Sequence, residues 1–205
     1  GRHDMRPEYP TLVYTRILKN LYPDTPVVLG GIEASLRRLT HYDYWQEALR
    51  PSILVESGAD LIVYGMGEKP TIEIAQRLST LLEEQPHLAE YDEEGNAVIG
   101  LRAFREAMQT NGPVPQTVAL YNKENIPGGI VPDDILLHSH EDCLAHPQRQ
   151  AENFRHIEEE SNKYEAQRII QPTGEHYVVV NPPYPPMSQT ELDASFDLPY
   201  TRLPH

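Results

Sequence analysis

Apolar positions in the first ninety residues recur with two alternating periods. Leu12, Ile17, Leu18 and Leu21 fall at helical spacing, and YPDTP at 22–26 ends that segment. Val27–Leu29 is a short apolar run that stops at Gly30–Gly31, as a strand entering a tight turn does. Ile32, Leu36 and Leu39 then sit at i, i+4 and i+7, which predicts a short helix with that stripe facing a core. THYDYW at 40–45 reads as a polar–aromatic loop or helix start, and Pro51 can open a further helix as its first residue, closed at Ser57–Gly58. Asp60–Tyr64 is a continuous apolar run of the kind covered on both faces of a sheet. After Gly65-Met66-Gly67, a helix starting at Pro70 places Ile74, Leu78, Leu81 and Leu82 on its buried side. Strands alternating with helices predict a parallel sheet with helices packed on it. A helix that comes first, with no strand before it, points to at least one strand upstream of Gly1.

Residues 85–132 are weakly periodic, with a possible short helix at Gly100–Asn111. Ile135–His138 is strand-like. Phe154, Ile157, Ser161 and Tyr164 predict a helix over about 147–165, with that narrow stripe inward. RIIQ, PTGE and HYVVVN read as a hairpin whose turn carries the glycine it needs. NPPYPPM is stiff and extended. Ser188 and Glu191 then form a capping box, with Met187 and Leu192 placed as its staple, which predicts a helix over 189–196. The last residues, DLPYTRLPH, read as a tether. The expected organisation is an α/β domain over 1–180, with the hairpin as an appendage, and a proline-rich linker and short helix over 181–205.

Composition narrows the function classes. The chain has 205 residues, 39% hydrophobic and 23% charged, with a formal net charge of −14. That balance disfavours nucleic acid as a partner, because phosphate binding needs a cationic face. No apolar run approaches the roughly 20 residues that cross a bilayer, so no membrane partner is expected. Cys143 is the single cysteine and closes no internal disulfide, which suits a reducing, cytoplasmic setting.

The two glycine turns are the first candidate site, because ligands of open α/β sheets bind beyond the carboxyl ends of the strands. Gly30, Gly31, Glu33, Gly65, Gly67 and Glu68 are the candidate cleft residues. Gly65-Met66-Gly67-Glu68-Lys69-Pro70 begins as G-x-G but has proline where a third glycine belongs, so the dinucleotide fingerprint fails, and no phosphate-loop motif is present. Glu33 and Glu68 fall in the first turn of each following helix, where a carboxylate takes up the helix dipole and repels phosphate. The turns therefore suit a neutral or hydroxyl-bearing ligand, or an arginine from a neighbouring domain; equally, the glycines serve only as tight turns and the glutamates only as caps. Arg37, Arg38, His41, Tyr42, Asp43, Tyr44 and Trp45 form a second candidate set, a substrate- or domain-contact surface. HSHEDCLAH offers the zinc-type ligands His138, His140, Cys143 and His146, although Ser139 with Asp142 also reads as a helix N-cap and no second ligand cluster appears. No nucleophile elbow or zincin motif is present.

VVLGGIEASLRRLTHYDYW…ADLIVYGMGEKP resembles, almost residue for residue, the N-terminal region of the YgiQ-type radical SAM proteins. NPP at 181–183 matches more weakly, DLPYTR at 197–202 firmly, and 85–135 least. The paired strand–glycine turns also look like the cobalamin-binding-type Rossmann domain that precedes many radical SAM cores. The D-x-H-x-x-G turn that holds cobalamin there does not occur in this chain, so cobalamin is unsupported by this segment. The resemblance implies a parent enzyme with a 4Fe-4S cluster on a C-x-x-x-C-x-x-C motif, cleaving S-adenosylmethionine to a substrate-abstracting radical. That motif follows DLPYTR in the family and is absent here. The expectation is therefore an accessory domain without a catalytic centre, whose partner is the C-terminal radical SAM domain of the same polypeptide and whose substrate is unknown. A stand-alone cobalamin- or nucleotide-binding module, or a purely structural domain, are the alternatives.

Overall fold

A computed structural model describes residues 7–201. The opening GRHDMR and the closing RLPH, including the last residue of DLPYTR, lie outside the described residues. The chain forms a six-stranded sheet with helices on both faces. In chain order the elements are α1 (Pro10–Leu21), β1 (Val28–Leu29), α2 (Gly31–Leu36), β2 (His41–Asp43), β3 (Ala48–Arg50), α3 (Ile53–Ser57), β4 (Leu61–Val63) and α4 (Glu68–Glu84). There follow β5 (Glu90–Tyr91), β6 (Ala97–Val98), α5 (Leu101–Gln109), β7 (Thr117–Asn122), β8 (Ile135–Leu136), α6 (His140–Ala145), α7 (Pro147–Ser161), β9 (Ile169–Thr173), β10 (His176–Val180) and α8 (Gln189–Phe196).

The main sheet runs β1-β4-β7-β10-β9-β8. Its two outer pairs, β1–β4 and β8–β9, are parallel. The three pairings between them are antiparallel. The sheet is thus mixed. The predicted hairpin is not an appendage: β10 lies between β9 and β7, with Val178 opposite Leu120 and Gln171, so it is built into the sheet's middle. The neighbouring strand β7 lies in the weakly periodic stretch. The possible helix at 100–111 is present as α5.

Strand alternation sends successive side chains to opposite layers. Ile62, Val118, Val178 and Val180 join Ala34 of α2, Ile53 and Leu54 of α3, and Ile157 of α7 on one face. Leu61, Val63 and Ala119 join Ile74, Leu78 and Leu81 of α4 and Ala103, Phe104 and Ala107 of α5 on the other. Ile126, Ile170 and Val179 extend that second layer under the 123–134 loop. All three residues of β4 are buried, as its unbroken apolar run predicts. The 123–134 loop is clamped by Arg168, which donates to Asp134 Oδ1 at 2.8 Å and Oδ2 at 2.7 Å and to the carbonyls of Pro127 and Gly129.

Several expected core stripes face outward instead. In α1 Leu12 is buried, but Ile17, Leu18 and Leu21 are exposed. In α2 only Ala34 is buried; Leu39, just beyond its end, is buried too, while Ile32 is 80% and Leu36 72% exposed. In α7 Phe154 is exposed, Tyr164 lies beyond the helix and is exposed, and the buried positions are Asn153 and Glu160. Asn153 is inside because its amide serves the His138 backbone: Oδ1 accepts from N at 2.9 Å and Nδ2 donates to O at 3.0 Å. THYDYW is a β-hairpin, β2–β3, rather than a loop or helix start. Pro51 precedes α3, whose N-cap is Ser52, accepting from Leu54 N at 3.2 Å. The capping box at Ser188 and Glu191 forms as predicted and starts α8. The proline-rich linker lies on the body: Gln116 N donates to Pro182 O at 2.7 Å, the Tyr184 hydroxyl bonds Glu73, and Lys69 pairs with Glu191 at 2.8 Å. Among the described residues no helix is long and apolar enough to cross a membrane.

Candidate functional site

β1 and β4 are adjacent and parallel, so their carboxyl ends, and the two glycine turns, meet at one crest of the sheet. The turns are joined by a side chain the sequence does not single out. Ser35 Oγ donates to Gly31 O at 2.7 Å and accepts from Gly65 N at 3.0 Å. From the other side Gln116, which enters β7, accepts from Tyr64 N through its carbonyl at 3.2 Å. Its side-chain amide donates to Tyr64 O at 2.8 Å and also to Met66 O. Gly65 is held at φ 69°, in the left-handed region, and a Cβ there would touch Gln116 Nε2 at 3.4 Å. Gly65→Ala is expected to cost about 1–2 kcal/mol, from the left-handed backbone penalty. Denaturant midpoints of the two proteins check it.

The two crest glutamates behave differently. Glu33 does not cap α2; its carboxylate accepts from Arg37 at 3.0 Å and from the Thr11 hydroxyl, tying α2 to α1. Glu68 opens α4 behind the N-cap Gly67, and its Oε2 is buried with no hydrogen-bond partner among the described residues. Among the described residues two more buried polar atoms are unpartnered nearby. Arg38 stacks over the Tyr64 ring, 5.0 Å to the centroid, and its Nε has no acceptor. The Tyr64 hydroxyl donates to Asn181 O at 2.6 Å, and the Asn181 side chain, only 2% exposed, leaves its Oδ1 unpaired. Burial pushes the Tyr64 phenol up to about 12, against the Arg38 charge, so it stays a donor. Burial likewise holds the Arg38 guanidinium below its usual range. Around these polar atoms the crest is apolar: Ile32, Leu36 and Met66 (60% exposed) stand in solvent.

The second candidate set divides. Asp43 is buried and structural: its carboxylate accepts from the Trp45 amide at 2.9 Å, the Gln46 amide at 3.3 Å and the Tyr9 hydroxyl. Burial opposes its ionisation, but those bonds and the Arg37 charge outweigh it and hold its carboxyl below the usual range. Arg37 lies 5.7 Å from the Tyr9 ring centroid. His41 bonds its ring Nδ1 to Leu39 O at 3.2 Å, and burial lowers its pKa. Tyr42, Tyr44 and Trp45 are exposed, with the Tyr44 and Trp45 rings 4.9 Å apart. These three are available for contact.

The four zinc-type residues are not brought together. The His138 ring bonds Glu152 at 2.7 Å, and the His140 ring bonds Thr40 Oγ1 at 3.1 Å. Cys143 is fully buried, its thiol pushed up by burial, and accepts from Asn153 Nδ2 at 3.2 Å. His146 is the N-cap of α7, and Ser139 caps α6 by accepting from Asp142 N at 3.0 Å. Among the described residues no group of three or more His, Cys, Asp or Glu is placed to hold a metal. A single buried cysteine does not fit the three-thiolate set of a 4Fe-4S cluster. An open concavity of about 840 Å³ on the α5 side is lined by Asp60, Phe104, Met108, Asn122, His176 and Asn181, and none of the crest glycines borders it.

No solved structure matches the chain. Curated relatives do. A UPF0313 protein of Bacteroides thetaiotaomicron is 57% identical, covering 100% of this chain and 31% of the relative. One from Porphyromonas gingivalis is 53% identical over 100% of this chain and 28% of the relative. One from Geobacter sulfurreducens is 40% identical over 100% and 29%. The chain thus spans about 30% of the length of the relatives it matches. The Radical SAM N-terminal family matches residues 1–205, and the chain belongs to that family as the N-terminal region of a UPF0313, YgiQ-type protein.

Proposed function

We propose that this chain is the accessory domain of a radical SAM enzyme, and that its crest packs against the C-terminal catalytic domain of the same polypeptide and closes the substrate side of that site. The observation that carries this reading is the composition of the crest. It combines three exposed apolar side chains, Ile32, Leu36 and Met66, with three buried polar atoms that lack partners among the described residues, on Arg38, Glu68 and Asn181. An unpaired buried donor or acceptor costs about 1–3 kcal/mol, so leaving several at one place is expected where another surface completes them. Exposed apolar groups beside them are the other half of an interface. The relatives' additional length, about 70% of each, is consistent with a partner domain in the same chain.

The enzyme activity belongs to the remainder of the polypeptide. Full-length protein reconstituted with iron and sulfide is expected to show cluster absorbance and S-adenosylmethionine cleavage. If neither appears, the enzyme reading is wrong. If both appear but residues 1–205 fail to bind the separately produced C-terminal domain, the packing reading is wrong and the enzyme reading stands. Cytoplasmic location belongs to this proposal.

A further inference from the structure

The crest does not account for a second exposed apolar surface. Tyr14, Ile17, Leu18 and Leu21 are all exposed and lie at 3, 1 and 3 residue steps, so they form one stripe along α1. The helix is held on its other side. Leu12 is buried, Arg16 donates to Glu56 O of α3 at 3.0 Å, and Lys19 pairs with Asp60 at 2.8 Å. α1 therefore lies on the same face of the sheet as α3, with its apolar stripe left over.

Among the described residues β1 is the outermost strand on that side. Val27 O accepts from Asp60 N at 2.9 Å, toward β4. By strand alternation Val28 turns its own N–H and C=O the other way, to the open edge. Val28 is also half-exposed within the strand. A short open edge beside an uncovered apolar helix stripe is an unfinished layer.

Crossover handedness says which part of the chain finishes it. The connection from β1 to the parallel strand β4 steps inward along the sheet and passes through α2 and α3 on one face. Parallel crossovers are right-handed almost without exception. α1 leads into β1 from that same face. A strand preceding α1, joined by a crossover of the same hand, must take the corresponding step and so lies immediately outside β1, beneath the α1 stripe. We propose that in the full-length protein the sheet continues past β1 by at least one parallel strand from chain N-terminal to this segment. That strand pairs with Val28 and buries Tyr14, Ile17, Leu18 and Leu21. The relatives are long enough to supply it. This inference is independent of the crest and survives if the packing proposed above fails.

The test uses the full-length protein. Leu21 is replaced by the photo-crosslinking residue benzoylphenylalanine, irradiated, and the crosslinked peptide mapped by mass spectrometry. Crosslinks to residues before this segment are expected. Crosslinks only to residues after it, or none, overturn the proposal. Hydrogen exchange gives a second reading that needs no variant. The Val28 amide is expected to exchange as slowly as that of Ile62; exchange more than 100-fold faster overturns the pairing.

Discussion

Replacing Ile32 by Asp and Leu36 by Lys together is expected to weaken binding of residues 1–205 to the C-terminal domain of the polypeptide by about 100-fold or more, while leaving the fold of residues 1–205 intact. Both side chains stand mainly in solvent, so their removal takes little from the core. The charges are chosen to suit the helix. Ile32 lies in the first turn of α2, where an added carboxylate meets the positive end of the dipole, and Leu36 is its last residue, where a cation meets the negative end. The cost falls on the interface. Central apolar anchors contribute about 2 kcal/mol or more each, and every 1.4 kcal/mol is tenfold in affinity, which sets the 100-fold expectation. Isothermal titration with the separately produced C-terminal domain measures it, with far-ultraviolet circular dichroism and a denaturant midpoint as controls. A double variant that binds normally removes the crest from the interface.

The second large effect is on stability. Asp134→Ala is expected to lower it by about 2–3 kcal/mol, somewhat less than the cost of removing one partner of a fully buried ion pair. Arg168 and Asp134 are 13% and 3% exposed at their side chains and bonded in two places, so the substitution leaves a part-buried guanidinium with only the Pro127 and Gly129 carbonyls as acceptors. It also frees the 123–134 loop, and with it the cover over Ile126, Ile170 and Val179. The pH dependence gives an independent sign. Burial disfavours the Asp134 carboxylate, but the Arg168 hydrogen bonds, the Val131 amide and the Arg168 charge more than offset it, so its folded pKa lies below the ordinary 3.8. A lowered carboxylate stabilises fully above its unfolded pKa, and the gain is lost as pH falls through the folded value. Wild type is therefore expected to lose stability steeply below about pH 4, and Asp134→Ala to show a shallower fall over that range. Urea midpoints across the acid range check both.

The alternation of strands and helices was legible because periodicity records burial directly. β1 and β4, their parallel pairing and the meeting of their glycine turns all follow from two apolar runs that each stop at glycine. The capping box at Ser188 was legible because it is a local pattern. The central place of β9–β10 was not, because antiparallel insertion into a sheet is a long-range choice that a hairpin's own residues do not encode. β7 was hidden because its neighbours are loops rich in proline and charge. Ile32, Leu36, Ile17 and Leu21 misled for one shared reason. A stripe on a helix shows that a surface will be covered, not that this segment covers it. At the site, the glycines and glutamates were visible as turn chemistry. Ser35, Gln116 and Asn181 were not, since only the fold brings Ser35 and Gln116 to the backbone groups they serve, and Asn181 Nδ2 to the Thr117 hydroxyl it donates to. A serine four residues after Gly31 carries a weak signal, because its hydroxyl can return to that carbonyl.

The central claim is that the crest is covered in the full-length protein, and Met66 reports on it without substitution. Its side chain is exposed at the crest, while Met108 is packed against the α4–α5 core and serves as an internal reference. Oxidation by dilute peroxide, followed by mass spectrometry of the Met66 and Met108 peptides, compares residues 1–205 with the full-length protein. The account predicts that Met66 oxidises at least about tenfold more slowly in the full-length protein, with the Met108 rate alike in both. Equal Met66 rates in the two would contradict it.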